Sequence, residues 1–142
     1  MKTLFMVACL SVMGIGMTAT AASAQLVSLK PEATQDVRDV VVLERLKAKS
    51  DTVLIYANGL CCPSCSSGVR ATVGVLDFVD QTQPNKGVEV DAKHQLVVIA
   101  VKKGAAIDTQ ALTKAVDAAG YPPVHLYTLE KGKVVTQALA VN

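Results

Sequence analysis

The order of residue patterns between positions 52 and 129 constrains this chain more than any other feature. It reads strand, helix, strand, strand, helix, strand. Thr52–Ala57 (TVLIYA) is rich in β-branched and aromatic residues, as strands are, and Asn58-Gly59 ends it. Cys62 then serves as a helix start, Pro63 suits the first helical position, and the helix is expected over about 63–79. Cys65, Val69, Val73 and Leu76 recur at helical spacing and mark its apolar face. After a polar loop, 80–87, the segments Val88–Asp91 and 96–101 form an antiparallel hairpin around residues 92–95. Asp108 or Thr109 caps a second helix over about 108–119, with Leu112, Ala115, Val116 and Ala119 inward and Gly120 as its stop. A strand at 124–129 follows Pro122-Pro123, and Lys131-Gly132-Lys133 turns into an extra strand at 134–139. The expected class is α+β: a ferredoxin-like βαββαβ two-layer sandwich, its antiparallel sheet carrying two helices on one face, with an extra C-terminal strand.

What precedes this unit reads as export followed by a tether. Lys2 is a basic start, residues 4–17 are almost wholly apolar, and Ala22-Ser23-Ala24 fits a small-x-small cleavage site. Residues 1–24 are therefore expected to be a signal peptide cut after Ala24, with the bacterial periplasm as destination. The apolar run is too short for a spanning helix, and no later stretch is long enough, so no membrane insertion is expected after cleavage. Residues 25–50 form a linker or a short helix: Pro31, Glu32 and Thr34 suit a helix start, and valines and leucines follow at loosely helical spacing. The formal charge of +2 falls to +1 without Lys2, which gives no case for nucleic acid.

Three of the four cysteines lie within five residues, in Cys61-Cys62-Pro63-Ser64-Cys65. A disulfide framework would spread them to close loops, and these close none, so the cluster points to metal ligation or thiol exchange. One sulfur of the CxxC pair sits on the loop after a strand and the other in the first turn of a helix. The helix N-terminus carries partial positive charge and unpaired amides, both of which favour thiolate, the metal-binding form. Cys61 adds a third sulfur that either completes a three-coordinate site or points away. The plainer alternative is an inert Cys62–Cys65 disulfide or buried thiols, although a Gly-Pro-Ser loop is poor core material.

The loop Gly59-Leu60-Cys61-Cys62-Pro63-Ser64-Cys65 resembles the metal loop of the heavy-metal-associated domain family, where a glycine and a large apolar residue precede x-Cys-x-x-Cys. The hairpin and the helix ending Asp117-Ala118-Ala119-Gly120-Tyr121 resemble the same family, so the similarity covers 51–129, with 130–142 as an appended turn and strand. That family includes copper chaperones, domains of metal-pumping ATPases and a periplasmic mercury-binding protein. The resemblance implies a ferredoxin-like fold, metal held by Cys62 and Cys65, and Tyr121 beside the metal loop. It also implies a partner that is a membrane metal transporter or another periplasmic cysteine-loop protein. Leu60 stands where the family usually has Met, and Cys61 where it seldom has Cys.

Soft thiolates select Cu(I), Hg(II), Zn(II) or Cd(II) over hard cations. Zinc usually takes four ligands and the loop offers three thiols and no carboxylate, which favours Cu(I), with Hg(II) second. The chain is thus expected to be a non-enzymatic carrier or scavenger. The rival is a thioredoxin-like thiol–disulfide oxidoreductase using Cys62 and Cys65, whose local strand–CxxC–helix geometry is the same. Against it stand two strands between the helices, no helix after the last strand and no Trp before the cysteines. His94, in the hairpin turn, and Lys102-Lys103 are expected to be solvated, and His125 to pack or face water.

Overall fold

A computed structural model describes residues 33–62 and 64–140. The expected signal peptide and cleavage site, residues 25–32, and the reading of Pro63 as the first helical residue lie outside the described residues. The elements run α1 (Gln35–Ala48), β1 (Thr52–Ala57), α2 (Cys65–Val73), β2 (Val88–Asp91), β3 (Leu96–Ala100), α3 (Thr109–Ala118), β4 (Pro123–Glu130) and β5 (Lys133–Ala138). The strands form one antiparallel sheet in the order β2-β3-β1-β4-β5. Its first four strands have the ferredoxin-like arrangement, and β5 extends the sheet beyond β4.

The central strand β1 is apolar on both faces, and both faces are covered. Alternate side chains point to opposite sides of a sheet. Val53, Ile55 and Ala57 therefore join Val69 and Val73 of α2 and Leu112 and Val116 of α3 in one core. Leu54 points the other way and packs with Val42 and Leu46 of α1, Leu96 and Tyr127. The expected two layers describe the unit from β1 to β4, and α1 adds a third over the opposite sheet face. Each fully buried leucine there contributes about 2 kcal/mol by area removed from water.

Polar anchors fix α1 at both ends. Arg38 is only 3% exposed. Its guanidinium lies 3.6 Å over the Tyr56 ring and donates to the His94 carbonyl (3.1 Å), Gln35 Oε1 (3.0 Å), the Ala33 carbonyl (2.8 Å) and Gln95 Oε1 (3.1 Å). Further along, Arg45 bridges Asp91 at 2.8 Å and Glu89 at 3.1 Å on β2.

The helix after the cysteines is shorter than expected. It covers Cys65–Val73 rather than 63–79, with Ser64 instead of Cys62 at the N-cap and Gly74 at the C-cap. Leu76 consequently lies beyond the helix, although it still packs on the core. Successive tight turns, Leu76 N–H to the Val73 carbonyl and Val79 N–H to the Leu76 carbonyl, bring Val79 beside Val101 as an extra sheet rung. That arrangement buries Phe78 and Val79. The second helix starts as expected, with Asp108 capping the Ala111 N–H at 2.9 Å, and Gly120 follows it at φ +90°.

Candidate metal-binding site

The cysteine loop is built from its two ends. At its base, Ala57 N–H donates to the Gln95 carbonyl (3.1 Å) and Asn58 N–H to the Pro122 carbonyl (2.9 Å). The hairpin turn and the α3–β4 turn therefore both hold the chain as it leaves β1. Gly59 turns it at φ +77°, a left-handed conformation that glycine adopts without the steric cost other residues meet. Leu60 is fully buried and pins the loop to the core. Leu60, the large apolar residue before the cysteines, is thus an anchor. At the far end Cys65 opens α2 and is also buried, at 8% exposure.

Cys62 and Cys65 are joined as a disulfide, with their Cα atoms 5.5 Å apart. Cys62 is half-buried against the core edge, and the Cys65 N–H donates to its carbonyl at 3.1 Å. The fold thus brings together the two sulfurs singled out in the sequence, in their oxidised state. Cys61 is exposed and free, outside that pair. Among the described residues no group of three or more His, Cys, Asp or Glu side chains is arranged to hold a metal. Reduced, the pair becomes two thiols at the start of a helix, in a loop without a charged side chain between Asn58 and Ser67. Such a donor set suits a soft ion of low coordination number.

Tyr121 is half-buried and packs on the core cluster that contains Cys65. It precedes Pro122, whose carbonyl holds the base of the cysteine loop, so it belongs to the turn stitched to that loop. Spacing gives Ser64 no role beyond the loop and the first helical turn, yet its Oγ lies 3.1 Å from Cys62 Sγ. Gln95 and Pro122 act through backbone carbonyls, which no side-chain pattern announces.

The other singled-out residues lie elsewhere. His94 is not solvated as expected: its Nδ1 is 2.9 Å from Asp91 Oδ2 and its side chain is 14% exposed. Burial pushes the Asp91 carboxyl up, but its bonds to His94 and the charges of His94 and Arg45 outweigh this and hold its pKa below 3.8. His125 sits between Tyr56 and Tyr127, with centroids 6.1 and 6.0 Å away, and its buried Nδ1 has no hydrogen-bond partner. Lys102 is exposed and donates to the Asp77 carbonyl at 2.6 Å.

No protein-family model matches the chain, and no curated protein matches it. Among solved structures it is similar to the crystal structure of oxidized MerP from Ralstonia metallidurans CH34. The identity is 26%, the match spans 51% of this chain and 90% of that one, and the TM-score is 0.41.

Proposed function

We propose that this protein is an exported carrier or scavenger of a soft metal ion, held by the thiolates of Cys62 and Cys65 and passed to a partner by thiolate exchange. The observation that carries this reading is the meeting of those two sulfurs at the first turn of α2, in an uncharged loop at the protein surface. The resemblance of residues 51–129 to heavy-metal-associated domains supports the same reading. Cu(I) is the expected cargo and Hg(II) the second, because each accepts two thiolates without further ligands. The proposed location is the periplasm, and the proposed partner a membrane metal transporter or another cysteine-loop protein.

The chemistry follows from exposure and oxidation state. Loading requires the disulfide to be opened by a thiol or dithiol reductant, which supplies two electrons and two protons and is itself oxidised to a disulfide. The metal then replaces the protons. Cys62 is the more accessible sulfur and Cys65 the buried one, so an incoming thiolate meets the metal from the Cys62 side. With only two sulfurs bound, the ion has room to add the newcomer before another sulfur leaves, and no bare ion is released.

The oxidoreductase alternative fits the same disulfide but not the rest of the fold. Two strands, β2 and β3, lie between α2 and α3, and among the described residues no helix follows β4. An insulin-reduction assay separates the two readings. The carrier reading expects no catalytic turnover by the metal-free reduced protein, and turnover that disappears in Cys62→Ser would overturn it.

A further inference from the structure

The hydroxyl of Ser64 is not used where a serine at its position ordinarily uses it. An N-cap serine normally accepts a hydrogen bond from a backbone N–H two or three residues ahead. Ser64 holds the N-cap of α2 but makes no side-chain capping bond, and its backbone is already helical, at φ −66° and ψ −26°, rather than extended. Its carbonyl takes Ser67 N–H at 3.4 Å and Ser67 Oγ at 2.9 Å, which ties Ser64 into the first turn. Its Oγ lies 3.1 Å from Cys62 Sγ. A disulfide sulfur carries no proton, so the hydroxyl is the donor.

Resting on the carrier reading, we propose that Ser64 is a positioning residue that sets how readily Cys62 releases the metal. A hydrogen bond to sulfur strengthens with the negative charge on that sulfur. A detached thiolate carries more charge than one bound to metal, so the Ser64 hydroxyl favours the detached form of Cys62. In the exchange step an incoming thiolate adds to the metal and the Cys62–metal bond breaks. Cys62 keeps the electron pair of that bond, and nothing is oxidised or reduced. The Ser64 bond stabilises Cys62 as it leaves. The hydroxyl therefore speeds transfer at the expense of affinity.

This gives Ser64→Ala an effect opposite to that of structural damage. The full chain, reduced and loaded anaerobically with one equivalent of Cu(I), is mixed with excess glutathione, and transfer is followed in the thiolate-to-copper charge-transfer band. Ser64→Ala should transfer about fivefold more slowly and hold Cu(I) about fivefold more tightly against a chelator, the change expected for a net hydrogen bond of about 1 kcal/mol. Its charge-transfer band should shift, and Ser64→Thr should restore both rate and band. No cap is lost, so the metal-free Ser64→Ala protein should lose no more stability than that single hydrogen bond, the about 1 kcal/mol that corresponds to the fivefold change. A Ser64→Ala protein that transfers at the wild-type rate, or binds Cu(I) more weakly, would overturn the assignment. Failure of the wild type itself to take up Cu(I) would instead bring down the carrier reading, and this one with it.

Discussion

Position 38 places an arginine at the N-terminal end of a buried stripe. Arg38, Val42 and Leu46 are the residues α1 turns inward, while Val37 and Val40 are 49% and 58% exposed. Apolar spacing alone picks out the valines, so the sequence leaves α1 poised between helix and linker. What orients the helix is a guanidinium satisfied by carbonyls, amides and an aromatic face, and of those partners Tyr56, His94 and Gln95 lie far away in the chain. Arg38→Ala should therefore cost about 3 kcal/mol, as expected for removing a buried, multiply bonded charged group, and chemical denaturation measures it. The cysteine pair was more legible, because two sulfurs three residues apart at a helix start are a matter of local spacing. Cys62→Ser or Cys65→Ser should each abolish chelation, while Cys61→Ser should leave one metal per chain with altered affinity. Competition titration checks this: a Cys61→Ser protein as impaired as Cys62→Ser would make the site a three-thiol one.

Among the elements, those with strict periods and strong punctuation were readable. The β2–β3 hairpin and α3 follow from alternation, a capping aspartate and a terminating glycine. The end of α2 was not readable, since its apolar spacing runs on through Leu76 while the chain has left the helix at Gly74. A Cβ at Gly74 would lie 2.5 Å from the Arg70 carbonyl oxygen, so Gly74→Ala should destabilise the protein by about 1–3 kcal/mol, visible as a lowered melting temperature. The contact between α1 and β2 should depend on pH. Asp91 has a lowered folded pKa, so its stabilisation is present above 3.8 and is lost as pH falls from there through the folded value. Acid unfolding of Asp91→Asn should therefore be less steep below about pH 4, the ordinary range of aspartate titration.

In the whole molecule, the ferredoxin-like unit was legible because its element order leaves few ways to bury both helices against one sheet. The third layer was not, because it depends on the second face of β1, and a run such as TVLIYA shows that both faces are apolar without naming what covers them. The arrangement leaves the cysteine loop held by β1, the hairpin turn and the α3–β4 turn, with Leu60 and Cys65 deeply buried. Support from three elements beneath the half-buried Cys62 suits the proposed carrier role, in which the ion is handed over. The most direct test is metal uptake by the anaerobically reduced protein, titrated with Cu(I) and with Hg(II), with thiols counted before and after. One ion per chain, protection of two thiols and no uptake by the disulfide form are expected. Equal uptake by the oxidised protein, or none by the reduced protein, would contradict the carrier reading.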